Sequence, residues 1–186
     1  MKTEIENTIK VLASGGTIIY PTDTIWGIGC DATNDKAVAK VFDLKQRSES
    51  KSLIILVDSI SMLQLYIPNI PDKIPSFLNK TKRPTSVIYN DPKGLASNVV
   101  AADNTVAVRI VQNEFCKALI QKFGGPIVST SANFSNQPSP ARFDEIDPLL
   151  LKQVDYIVNL SAVESKNTAS QIIKVGDLGE IEYIRK

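Results

Sequence analysis

Apolar runs of strand length recur along the chain. They are Thr17–Tyr20, Leu53–Val57, Ser86–Tyr89, Val106–Ile110, Ile127–Ser129, Tyr156–Leu160, Gln171–Val175 and Ile181–Ile184. Several are β-branched and unbroken by polar positions, the pattern of strands covered on both faces. Helical spacing falls between them. Asn34 or Asp35 caps a predicted helix whose Val38, Val41 and Phe42 share one stripe. Asn113 caps another, with Phe115, Leu119, Ile120 and Phe123 on one face and Gly124-Gly125 as its stop. A third helix is expected from about Asp144 to Gln153, strained by Pro148. Pro68–Pro75 reads as a turn into a short helix. There is no repeat, long linker or low-complexity tract. Strands alternating with helices predict a single α/β domain over residues 1–186, an open, twisted, mixed β-sheet flanked by helices.

Composition narrows the chemistry. A chain of 186 residues, 43% hydrophobic and 22% charged, is ordinary for a soluble globular domain with a real core. A net charge of +1 supplies no global field for nucleic acid and leaves only a local basic patch. No apolar run approaches the ~20 residues of a membrane span. The acidic start, Met1-Lys-Thr-Glu-Ile-Glu-Asn, does not read as a signal peptide, so a cytoplasmic location without membrane contact is expected. Cys30 and Cys116 lack metal-ligand spacing and read as packed thiols in a reducing compartment. With no histidine in the sequence, a Ser-His-Asp triad and a His-based zinc site are excluded. General-base work falls to a carboxylate or a lysine, or is not needed.

Four stretches carry candidate chemistry. In Tyr20-Pro-Thr-Asp-Thr-Ile-Trp-Gly-Ile-Gly29, polar side chains cluster where the chain leaves a strand. Gly27 and Gly29 there permit close backbone approach or positive φ. The alternative is a polar turn with an exposed tryptophan. Lys45, Arg47 and Lys51 flank Ser48-Glu49-Ser50. Lys45 and Arg47 converge on a polyanion only if the helix ends near Gln46; otherwise they form a solvated helix terminus. Ser129, Thr130, Ser131 and Asn133 leave a buried strand, where α/β sheets place ligands, and suit a loop that wraps phosphate or carboxylate, or else a cap or turn. Arg109 stands inside an apolar strand and needs an anionic partner, either a ligand carboxylate or a structural Asp or Glu.

Taken in order, these segments resemble the YrdC-like family, the L-threonylcarbamoyladenylate synthases. Tyr20-Pro-Thr-Asp-Thr-Ile-Trp-Gly-Ile-Gly29 is similar to the family's Pro-Thr-(Asp/Glu)-Thr motif, and Leu44-Lys-Gln-Arg47 with Lys51-Ser-Leu53 to its Lys-x-Arg segment. Val106-Ala-Val-Arg109 and Ser129-Thr-Ser-Ala-Asn133 match its arginine strand and Ser-x-Asn motif. Departures fall at turns and rims. Lys82–Tyr89 lacks the Pro-Gly-Pro turn, and Ala169-Ser-Gln171 stands where Pro-Ser-Thr is usual.

The resemblance implies a short, single-domain, YrdC/RibB-like fold and a nucleotidyltransferase. It makes threonylcarbamoyl-AMP and pyrophosphate from L-threonine, bicarbonate and ATP, with Mg²⁺ held mainly through the ATP phosphates and no metal site of its own. It further implies downstream threonylcarbamoyl-transfer proteins that modify tRNA, and possible tRNA contact. Carried over by position, Arg47, Lys51, Thr105, Ser131, Ser139 and Arg185 contact ATP. Thr24, Arg109, Ser129 and Ser170 contact threonine, and Lys45, Arg47, Ser131 and Asn133 form the catalytic set. The alternatives are a non-catalytic module binding tRNA or double-stranded RNA, and a paralogue with another carbamoyl acceptor.

Overall fold

The computed structural model describes residues 1–46, 53–160, 168–176 and 180–186. Arg47 and Lys51 lie outside the described residues. Nine strands among them form one mixed sheet: β1 (Ile18–Tyr20), β2 (Gly27–Gly29), β3 (Ile54–Val57), β4 (Thr85–Asn90), β5 (Thr105–Ile110), β6 (Ile127–Ser131), β7 (Tyr156–Ile157), β8 (Gln171–Val175) and β9 (Ile181–Arg185). Their order across the sheet is β7-β1-β2-β6-β3-β5-β4-β8-β9. β3/β5, β4/β8 and β1/β7 run parallel and the remaining neighbours antiparallel. The expected α/β class and mixed sheet are thus present.

Helices cover both faces. Ile55 and Val57 of β3 share a core with Val38, Val41 and Phe42 of α2 (Asp35–Lys45), Leu63 of α3 (Ile60–Tyr66) and Ile74 of α4 (Lys73–Lys80). Leu56, pointing the other way, joins a second core with Leu12 of α1 (Lys2–Ala13) and Phe115 and Leu119 of α5 (Glu114–Phe123). The period-2 alternation of a strand therefore feeds two cores. Among the described residues no helix is long and apolar enough to cross a membrane.

Local chemistry sets the ends. Asn34, not Asp35, caps α2, its side chain accepting from Lys36 and Ala37 N–H at 3.0 and 3.2 Å. Asp35 instead binds Ser97 N–H at 2.7 Å. α2 stops at Lys45 because Gln46 turns left-handed at φ 50°. Asn113 caps α5, and Gly124 ends it at φ 79°. Where one helix was expected from Asp144 to Gln153, there is a 3₁₀ turn, Phe143–Glu145, and a short α6, Pro148–Leu151. Pro148 does not strain that helix but starts it, behind the Asp147 cap, where a missing N–H costs nothing. The expected strand Ile127–Ser129 runs on to Ser131, and Tyr156–Leu160 is strand only over its first two residues. Trp26 is buried and packs on Phe143 with ring centroids 5.0 Å apart, so it is not the exposed tryptophan of a polar turn.

Candidate active site

The site follows from strand register. One cross-strand row runs Ser129, Ile54, Ala107, Ile88 through β6, β3, β5 and β4. The next runs Leu56, Arg109, Ser86, Ile172, Arg185 through β3, β5, β4, β8 and β9. Successive rows two residues apart share a face. On that face α1 and α5 cover Ile18, Tyr20, Leu56 and Ile127. Beyond them the sheet carries a cavity of about 310 Å³, lined by Thr24, Gly27, Ser129, Ser131, Ser139, Arg109, Ser170 and Arg185 among others. Segments from opposite ends of the chain thus meet in one concavity.

Gly27 and Gly29 make this packing possible. Neither has positive φ. A Cβ on Gly27 would lie 3.3 Å from both Ser129 Oγ and the Thr130 carbonyl; one on Gly29 would lie 2.5 Å from the Val128 carbonyl. Close approach of β6 is what the glycines allow. Ser129, Thr130 and Ser131 therefore sit on a paired strand rather than in a loop, with Ser131 opposite Gly27.

Lys45 is buried behind β6. Its Nζ donates to the Ser131 carbonyl at 2.5 Å, the Asn133 carbonyl at 2.7 Å and Asn133 Oδ1 at 3.2 Å. Asn133 Nδ2 donates in turn to the Gln137 carbonyl at 2.6 Å. This ammonium shapes the turn that follows β6 and leads to Ser139. Thr105 shares the face of Ala107 and Arg109 but stands outside the cavity lining, its Oγ1 donating to Asp103 Oδ1 at 2.7 Å.

Two arginines furnish the charge. Arg185 donates from Nε and Nη2 to the Ser170 carbonyl at 3.1 and 2.7 Å. Ser170 Oγ shares a 2.9 Å hydrogen bond with Ser86 Oγ. Burial lowers the Arg185 guanidinium from its usual range, and the positive charges of Arg109 and Arg83 lower it further. Of these, Arg109 and Arg185 line the cavity, where positive charge favours an anion. The partner of Arg109 is Asp23, with Nη2 and Oδ1 3.1 Å apart and both side chains buried. Sequence alone leaves that partner open and connects neither Asp23 nor Ser86 to Arg109. The one available signal for Asp23 was its place between two threonines of the same motif.

Thr22 Oγ1 donates to the Ile25 carbonyl at 2.7 Å and accepts from Thr24 N–H at 3.1 Å, which folds the motif tightly and turns Thr24 into the cavity. Cys116 Sγ donates to the Pro21 carbonyl at 3.3 Å, and burial pushes this thiol well above the usual range. Cys30 is likewise buried and shifted upward, so both thiols are packing groups rather than nucleophiles.

An open mixed α/β sheet with a hydroxyl-lined, arginine-bearing concavity places the chain among α/β proteins that carry a polar cavity on one sheet face. The chain belongs to the family described as telomere recombination, the Sua5/YciO/YrdC family, whose model matches residues 10–186. It is 38% identical over 131 residues to a threonylcarbamoyl-AMP synthase of Saccharophagus degradans, covering 70% of this chain and 69% of that one. It is 34% identical over 165 residues to a threonylcarbamoyl-AMP synthase of Pseudoalteromonas translucida, covering 85% and 86%. Its fold matches that of P. abyssi Sua5 complexed with L-threonine at a TM-score of 0.84 and 24% identity, over 91% of this chain and 50% of that longer one.

Proposed function

We propose that this chain, acting as a single domain, is an L-threonylcarbamoyladenylate synthase. Threonine and bicarbonate give the N-carboxylate with release of water and a proton, and its anionic oxygen attacks the α-phosphorus of ATP. Threonylcarbamoyl-AMP forms and pyrophosphate leaves. The observation that carries the reading is the row of Arg109, Ser86 and Arg185 across one face, beside the hydroxyls of Ser129 and Ser131. Because the nucleophile is already anionic, alignment and charge neutralisation are what the step needs. That suits a protein without histidine.

In this reading Arg109, Thr24, Ser129 and Ser170 hold threonine. Arg47, Lys51, Thr105, Ser131, Ser139 and Arg185 hold ATP, while Lys45 and Asn133 fix the turn that presents Ser131. Hydroxyls and guanidinium groups suit phosphate oxygens, and the nearby carboxylate of Asp23 is engaged by Arg109. Mg²⁺ therefore fits as part of MgATP, gripped by phosphates and water, where it neutralises phosphate charge. The product passes in the cytoplasm to transfer proteins that modify tRNA.

Pyrophosphate release from MgATP tests the proposal. Release that requires both threonine and bicarbonate is expected. Release only with another amino acid would identify a different acceptor, and no release from folded protein, paired with salt-sensitive tRNA binding, would favour an RNA-binding module.

A further inference from the structure

Buried ion pairs are ordinarily saturated with hydrogen bonds, because each lone pair or N–H left over is costly. The Arg109–Asp23 pair is not. Its side chains are 4% and 5% exposed and touch at 3.1 Å. Yet neither oxygen of Asp23, and neither Nε nor Nη2 of Arg109, has a hydrogen-bond partner among the described residues. The neighbours that could help are committed elsewhere. Thr22 Oγ1 serves the Ile25 carbonyl and Thr24 N–H, and Cys116 Sγ serves the Pro21 carbonyl. The structure thus holds an ion pair whose one contact is Nη2 to Oδ1 and which no hydrogen bond from the described residues supports, beside a cavity wall formed by Thr24 and Arg109.

The unfilled hydrogen-bonding capacity of this pair matches an α-amino acid in type. A carboxylate takes two N–H donors from the guanidinium fork, and an ammonium offers three donors to a carboxylate. A simple carboxylic acid satisfies only Arg109 and is repelled by Asp23. We infer that Asp23 receives the α-ammonium of the substrate while Arg109 takes its α-carboxylate, so that the zwitterion is read at both ends. This rests on the amino-acid reading above and deepens it. Asp23 is then the residue that selects amino acids over their des-amino counterparts.

Calorimetry with L-threonine and with 3-hydroxybutanoate, which is threonine with its amine replaced by hydrogen, tests this with and without a non-hydrolysable ATP analogue. Wild-type protein is expected to prefer threonine by at least about tenfold. Asp23→Asn is expected to keep ATP affinity while that preference falls to about threefold or less, and Asp23→Glu to restore part of it. An unchanged preference in Asp23→Asn would overturn the assignment. So would wild-type protein that binds the two compounds equally, an arm that needs no variant to fold. Wild-type protein that binds ATP but neither compound overturns the amino-acid reading itself, and Asp23's role with it.

Discussion

Lys45 and Arg142 show how differently two cations can count. Arg142 is two-thirds exposed and forks onto Asp144 at 3.0 Å. Such a surface pair adds little stability, because water screens it and two long side chains must be held in place. Lys45 is 1% exposed and its Nζ serves two backbone carbonyls and an amide oxygen. Lys45→Met keeps the stem's packing but strands those carbonyls, a loss of about 3 kcal/mol. For a chain of this size that is a fall in Tm of about 10 °C, against about 2 °C for Arg142→Ala. Differential scanning calorimetry of the two variants checks this. Equal shifts would show that the ammonium does not hold the turn after β6.

Strand β2 makes the same point for an element. It is three residues, Gly27-Ile28-Gly29, joined antiparallel to β1 on one side and β6 on the other. Glycine is a poor strand former, and β2 holds only because its neighbours close on it. Gly29→Ala would set a Cβ 2.5 Å from the Val128 carbonyl and 2.7 Å from Tyr20 Cε1. Both β1 and β6 would have to move, at about 1–3 kcal/mol. Urea denaturation is expected to show a lower midpoint with an unchanged m-value, and an unshifted midpoint would mean that β6 is not so closely seated. Such an element marks the limit of what the sequence makes legible. The caps Asn34 and Asn113 and the stop at Gly124 act within four residues of their targets and read directly. β2 carries no propensity of its own. Helix α1 was missed because its buried stripe of Ile5, Thr8 and Leu12 is broken by a threonine, whose Oγ1 is satisfied by the Glu4 carbonyl at 2.6 Å. The polar positions of the cavity stood out one by one. What did not was the match of Arg109 to Asp23, since the sheet brings together residues that no local pattern connects.

Across the whole molecule, the titration of these groups shapes stability. Asp155 accepts from Thr17 N–H at 2.7 Å and Thr17 Oγ1 at 2.9 Å, fastening β7 to the start of β1. The backbone hydrogen bond from Thr17 holds its carboxyl below the usual range. A folded pKa below the unfolded value of about 3.9 contributes stability present above that pH and lost as pH falls through the folded pKa. On the alkaline side Cys30, Cys116, Tyr20 and Tyr89 are all shifted upward, with burial the leading cause. A raised folded pKa contributes stability present below the unfolded value and lost as pH rises through the folded pKa. The loss begins at about pH 8.5 with the thiols and grows near pH 10 with the phenols. Between these limits histidine is the side chain whose unperturbed charge would change, and the sequence has none. Stability measured by urea denaturation is therefore expected to be flat from about pH 5 to 8, falling on both sides. Asp155→Asn should lower the plateau by well under about 1 kcal/mol, because water screens this exposed carboxylate, and soften the acid slope while leaving the alkaline slope unchanged. A slope within the plateau would require a titrating group other than these, and an alkaline limb altered by Asp155→Asn would show that the two sides are coupled.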